Sequence, residues 1–267
     1  VPTADTINPT DKISILLKSP YGFGKTIAAC SMAVDGPIWL AYWDKQSPIE
    51  LLTYYKKHRP DILKNIDYDV YGAHNAAEYV NKLRRQIKST SYIGHVNDSV
   101  TMMTAAAVNW SLGFKNPKGP KMDDKNNSNN PLFIPDYDEY KVETSMITQS
   151  LDLCKAVNWN VIWTCHPLAR IKVEDAGGKQ KVTNTTSIVS YGNKVAGIIP
   201  GQFTEIYHLS FDNSWDTKTG EMKTRRMVNT VGFGDDFAKT ALNIPAEFDI
   251  TDKLFWECWK NAIKDNE

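Results

Sequence analysis

Short apolar blocks alternate with stretches of helical period along most of this chain. I-S-I-L-L (13–17), I-W-L-A-Y (38–42) and N-V-I-W-T-C (160–165) are almost unbroken apolar runs, the pattern of strands buried on both faces. Asp69–Tyr71 predicts a further short strand. The first half of S-Y-I-G-H-V-N-D-S-V-T (91–101) predicts another, diluted by Gly94, His95 and Asn97. Helical spacing covers Lys25–Val34, Ile49–Lys57, Ala76–Ile87, Met102–Leu112 and Tyr140–Val157. In the third of these, Tyr79, Val80, Leu83 and Ile87 share one side.

From Phe114 to Pro135 the periodicity collapses into a polar stretch rich in Asn, Pro and Gly, which reads as a long mobile loop. Past His166 the chain turns strand-rich. Two short strands flank Gly177–Gly178, and T-E-I-Y-H-L-S (204–210) and R-R-M-V-N-T-V (225–231) follow. The segment Phe237–Leu242 is expected to finish the sheet, and L-F-W-E-C-W (254–259) to form a packing helix. This order predicts an α/β fold over residues 1–267 as a single domain. Its sheet is mostly parallel and flanked by helices, with a strand-rich C-terminal part.

Composition narrows the class. With 267 residues, 42% hydrophobic and 11% aromatic, the chain can bury a sizeable core, and global disorder is excluded. No apolar run approaches the roughly 20 residues that span a bilayer, so no membrane partner is expected. The stretch V-P-T-A-D-T-I-N-P-T predicts no signal peptide. The four cysteines form no C-x-x-C pair, which argues against zinc and against a disulfide framework and predicts a cytoplasmic setting. A net charge of +0 argues against a strongly basic nucleic-acid binder but leaves room for a local patch.

The chemistry gathers at S-P-Y-G-F-G-K-T. Ser19, Pro20, Tyr21, Gly22, Phe23, Gly24, Lys25 and Thr26 approximate the phosphate-loop pattern G-x-x-x-x-G-K-[ST], with Ser19 in place of the first glycine. Glycines let backbone N–H groups turn inward as an anion nest. Lys25 would supply a point charge to the β- and γ-phosphates of ATP, and the Thr26 hydroxyl would ligate Mg²⁺. The motif follows a predicted strand and opens a predicted helix, as that chemistry requires. Asp98, at the end of its strand, is placed to hold Mg²⁺ through water; the other reading is a cap on the following helix. Asp44 ends the strand after the loop helix and could orient the attacking water, or be a solvated strand end. His166 ends N-V-I-W-T-C-H as a candidate γ-phosphate sensor or a hydrogen-bonded core residue.

Taken together, S-P-Y-G-F-G-K-T, N-D-S-V-T, I-W-T-C-H-P and F-A-K-T-A-L-N-I-P resemble, in order, the RecA-like P-loop ATPase core. More narrowly they resemble phage-encoded nucleotide-binding proteins of single-strand annealing recombination. The resemblance implies Asp98 as the Mg²⁺ carboxylate and His166 as the polar sensor. It implies Asp44 as the catalytic carboxylate, where the family usually has Glu. Lys239 would match a cation reaching the nucleotide of a neighbouring subunit, with Arg225 and Arg226 as rivals. The family's two DNA-contacting loops fall on irregular insertions at 114–135 and 170–194. The second carries five basic residues against two acidic ones, with Tyr191 as a stacking face. The implied function is a DNA-stimulated, Mg²⁺-dependent ATPase acting on single-stranded DNA in phage recombination or replication. It would assemble as a ring or filament, in the host cytoplasm if phage-encoded. The alternatives are an ATP-switched DNA-binding module with little hydrolysis, or a P-loop helicase or packaging motor.

Overall fold

The structure is a computed structural model that describes residues 12–44, 47–88, 91–115, 137–176, 179–190, 192–216, 220–232 and 237–265. Strands β1 (Ser14–Lys18), β2 (Ile38–Tyr42), β3 (Ile66–Val70), β4 (Gly94–Asp98), β5 (Asn160–Cys165), β8 (Glu205–Asp216), β9 (Glu221–Asn229) and β10 (Glu247–Asp249) form one eight-stranded sheet. Its order is β10-β9-β8-β1-β5-β4-β2-β3. The pairs from β8 through β1, β5, β4 and β2 to β3 are parallel, and β8–β9–β10 close the other edge antiparallel. A separate antiparallel ribbon pairs β6 (Pro167–Ala176) with β7 (Lys179–Ile188). The mostly parallel sheet with a strand-rich C-terminal part is the one expected.

Alternation along the strands explains the two-sided core. Leu16, Trp39, Ala41, Val161 and Trp163 point to one face and pack with Tyr79, Leu83, Met103 and Ile147. These come from α4 (Ala76–Gln86), α5 (Val100–Lys115) and α6 (Tyr137–Ala156). Ile15, Leu17, Ile38, Leu40, Val96 and Ile162 point to the other face. They pack under α1 (Lys25–Cys30), α2 (Ile49–His58), α3 (Pro60–Leu63) and α8 (Phe255–Lys264). Each such side chain contributes about 1.5–3 kcal/mol when fully buried. A sheet covered on both faces needs apolar residues at successive positions, which is why its central strands read as unbroken runs.

Helix α8 follows the predicted packing helix. The Trp256 N–H donates to Ser31 Oγ at 2.9 Å, and Trp256 Nε1 and Lys260 Nζ both reach Asp35, at 2.7 and 2.6 Å. Trp259 Nε1 donates to the buried Tyr207 hydroxyl at 3.0 Å.

Two expectations are revised. The β6–β7 ribbon bears out the two strands expected beside Gly177–Gly178, and with α7 (Asn193–Ile198) it gives regular structure to the described residues of 170–194 that the resemblance had as an irregular insertion. Ten ladder positions, from Pro167↔Ile188 to Ala176↔Lys179, give the backbone its partners there. Phe237–Leu242 is not a strand; only Lys239 bridges to Ile206, and β10 takes the edge position instead. The predicted loop at 114–135 lies outside the described residues from residue 116 on, as does Tyr191. No helix among the described residues is long and apolar enough to cross a membrane.

Candidate functional site

Parallel strands deliver their carboxyl ends to one edge of the sheet, and the candidate residues meet there. The loop Ser19–Gly24 follows β1, Asp44 follows β2, Asp98 ends β4 and His166 follows β5. Register fixes their neighbours: Lys18 pairs with Cys165, and Tyr42 with Asp98. A cavity of about 530 Å³ opens over this edge, lined by Gly22, Gly24, Lys25, Thr26, Asp44, Asp98 and His166 among others.

Gly22 and Gly24 take φ of +81° and +75°, the left-handed region where a side chain is strained. Two such residues in three let consecutive N–H groups converge, the geometry of an anion nest. The Gly24 carbonyl accepts the first helical bond from Ala28, at 2.9 Å.

Lys25 is buried and held by the loop it follows. Its ammonium donates to the carbonyls of Ser19 at 2.7 Å and Pro20 at 2.8 Å. Burial pulls its pKa down to about 8, against the opposing pull of Asp98, Cys165 and Asp44. The His166 Nδ1 lies 3.3 Å from the same nitrogen. Burial first, then the Lys25 charge, pushes His166 down to about 4, so its imidazole is neutral at pH 7. An ammonium has only protons to give, so Nδ1 accepts from Lys25. The Tyr21 ring stacks on His166 at 3.6 Å and remains mostly exposed.

Asp98 is gripped from two sides. Thr26 Oγ1 donates to its Oδ2 at 2.6 Å, and Thr164 Oγ1 donates to its Oδ1. Burial raises the carboxyl's pKa, and the Thr164 and Thr26 hydroxyls and the Lys25 charge oppose that rise. The capping alternative for Asp98 does not describe its side chain, which is spent on the two threonines. Trp43 explains why Asp44 lies close by: its N–H donates to the Asp98 carbonyl at 2.7 Å, and its indole to Asn97 at 2.7 Å.

Among the described residues, no cluster of three or more His, Cys, Asp or Glu side chains could hold a metal. The donor set at Thr26 and Asp98 is one hydroxyl and one carboxylate, hard oxygens 2.6 Å apart. That set suits Mg²⁺, which keeps several waters and takes one or two carboxylates plus substrate phosphates.

Lys239 is not gathered into this site. Its side chain is exposed, and its backbone exchanges hydrogen bonds with Ile206 at 2.8 and 3.1 Å. Arg225 pairs with Asp212 on the exposed hairpin, whereas Arg226 donates to the Phe23 carbonyl at 3.2 Å.

Sequence reasoning passed over three contributors. Glu50, in the first turn of α2, lines the same cavity as Asp44. Tyr42 sits among the carboxylates: its pKa is driven up by burial and then by Asp98, Asp44 and Glu50. Thr164 had a readable signal, since it is a polar residue near the carboxyl end of the otherwise apolar strand β5, just before His166.

No protein-family model matches the chain, and no curated protein matches it. Solved structures similar to it include a KaiC-like protein from the hyperthermophilic archaeon Pyrococcus horikoshii. That likeness covers 81% of this chain and 77% of that one, at 14% identity and a TM-score of 0.42. The RadB recombinase is similar over 90% of this chain and 88% of its own, at 11% identity and a TM-score of 0.46. Likeness at this level gives no residue a role, so the chemistry of the site stands on its own geometry.

Proposed function

We propose that this chain is a RecA-like ATPase that binds Mg²⁺·ATP at Ser19–Thr26. The observation that carries the reading is the Thr26–Asp98 contact of 2.6 Å beside Lys25, beneath a loop with two positive-φ glycines. Thr26 would hold Mg²⁺ directly and Asp98 through water, and the ion would neutralise charge on the β- and γ-phosphates. Lys25, already desolvated, would exchange its carbonyl partners for phosphate oxygens. Hydrolysis joins a water oxygen to the γ-phosphorus and breaks the β–γ bridge. Asp44 is the group assigned to orient that water and take its proton, and Glu50 is its rival in the same cavity. His166, neutral and bonded to Lys25, is the sensor of the γ-phosphate.

The proposed partner is single-stranded DNA, in phage recombination or replication. Support comes from a second groove of about 510 Å³ lined by Tyr137, Tyr140, Lys141, Thr144 and Lys194. The Tyr137 ring is 75% exposed and offers a stacking surface for a base, with Lys141 Nζ 4.5 Å from its centroid and Lys194 lining the same groove as cations for phosphates. Assembly as a ring or filament, with Lys239 reaching a neighbour's nucleotide, completes the proposal.

The test is ATP hydrolysis with and without single-stranded DNA, with Lys25→Ala alongside. Turnover that DNA accelerates and Lys25→Ala abolishes supports the reading. Binding of ATP without turnover on DNA transfers it to an ATP-switched module, for which the short reach of Asp44 is the reason. Absence of ATP binding overturns it.

A further inference from the structure

One cross-strand pair of the β8–β9 hairpin takes hold of the phosphate loop at two points. Phe211 and Arg226 lie directly opposite each other in the ladder. The Phe211 ring packs on Phe23 at 4.5 Å between centroids, and the Arg226 guanidinium donates to the Phe23 carbonyl at 3.2 Å. A single residue of the loop is therefore held by its ring and by its backbone, from a hairpin about 200 residues further along the chain.

The backbone of Arg226 is itself fixed. Its N–H donates to Thr251 Oγ1 at 2.8 Å, and its carbonyl accepts from the Ile250 N–H at 2.8 Å. Both groups face away from β8, so Phe211 and Arg226 form a non-hydrogen-bonded pair. Side chains of such a pair stand closest together. Gly24 is the other half of the fit: a Cβ there would lie 2.4 Å from Arg226 Nη2. Bare backbone at Gly24 is what lets the guanidinium approach.

The consequence for the loop is directional. In a trans peptide the C=O and the following N–H point opposite ways. With the Phe23 carbonyl turned to Arg226, the Gly24 N–H points the opposite way, away from Arg226, and Gly24 itself lines the cavity. We propose that Arg226, with Phe211, is a positioning residue that presets the Gly24 N–H for a nucleotide phosphate. This rests on the ATP-binding reading above. Arg226 touches no phosphate in this role; it acts through the peptide between Phe23 and Gly24.

The experiment measures Mg·ATP binding by calorimetry for the wild-type chain, Lys25→Ala, Arg226→Ala, Arg226→Lys and Phe211→Ala. Hydrogen exchange of peptides spanning Ser19–Thr26 and spanning β4 is followed in the same variants without nucleotide. Losing a charge-assisted bond that orders the loop is expected to weaken Mg·ATP binding about tenfold in Arg226→Ala. Loop exchange should quicken by a similar factor while β4 stays protected. Arg226→Lys, which keeps a donor, should recover part of both effects. Wild-type binding of Mg·ATP with Arg226→Ala and Phe211→Ala both within twofold, and loop exchange unchanged, overturns the proposal. If the wild type binds no Mg·ATP, the nucleotide reading fails, and loop exchange alone decides whether the clamp exists. Should Arg226→Ala not fold, Phe211→Ala decides: its ring is 40% exposed, and unchanged loop exchange in it overturns the clamp.

Discussion

His95 makes the strand that carries Asp98 acid-sensitive, and the size of the effect follows from its surroundings. The imidazole is fully buried on β4, with its Nδ1 3.1 Å from the Trp39 carbonyl and its Nε2 3.1 Å from the Tyr79 hydroxyl. It stacks on the Trp39 ring at 4.5 Å. A neutral ring satisfies both partners, donating from Nδ1 and accepting at Nε2. Burial, helped by the Lys82 charge and opposed by the Trp39 carbonyl, lowers its pKa to about 4. The ordinary value is near 6.5, so as pH falls the unfolded chain takes up this proton first. Stability from this group is complete above about pH 6.5 and is lost as pH falls toward 4. Between pH 7 and pH 5 the loss works out at about 2 kcal/mol. Urea unfolding at pH 7, 6 and 5 measures it, in the wild type and in His95→Gln. The variant keeps polar groups near both partners but cannot titrate. Whatever its stability at pH 7, it should lose about 2 kcal/mol less than the wild type on going to pH 5. His166 titrates in the same direction but is present in both chains and cancels. Parallel pH profiles for the two proteins would refute the reasoning.

Thr164→Val removes a hydroxyl donor from the buried Asp98 carboxylate without changing side-chain size. At pH 7 it should cost about 1.5–3 kcal/mol of stability by urea titration, and markedly less in an Asp98→Asn background. Asp44→Asn and Glu50→Gln separate the two candidate carboxylates. The one that orients water should lower kcat by about 10²–10⁴-fold with Mg·ATP affinity kept, while the other leaves kcat within a few-fold, by steady-state phosphate release.

Much of this was legible because the relevant signals are local. A parallel strand covered on both faces favours apolar residues at successive positions, so β1, β2 and β5 stand out, while β4, equally buried but carrying His95, Asn97 and Asp98, reads less clearly; the phosphate loop is punctuated by glycines that few other structures need. Placing Asp98, Asp44 and His166 together needed only the rule that parallel strands share one functional edge. What stayed hidden depends on distance along the chain. Nothing near Arg226 or Phe211 signals that their partner is Phe23, because that contact is set by the β8–β9 register and by where β8 docks on β1. Glu50 reads as an ordinary helix-start carboxylate until α2 is laid beside the loop. Lys18 shows the same limit: on sequence it ends an apolar run like any surface lysine. In the fold it is buried, with its ammonium 4.1 Å over the Phe237 ring and bonded to the Phe237 carbonyl.

The docking of α8 also orders events during synthesis. The Ser31 hydroxyl, next to the last turn of the phosphate-loop helix, waits for the Trp256 N–H across 225 positions of chain. At translation speeds of 5–20 residues per second that is a delay on the order of 10–45 s. Through that interval the outer face of α1 has no tryptophans to cover it, and β1 lacks β8 as a neighbour for most of it. A nascent chain would therefore hold its phosphate loop early but half-supported. Arrest of translation before Trp256 should leave a ribosome-bound species that chaperones bind and proteases cut near residues 25–34.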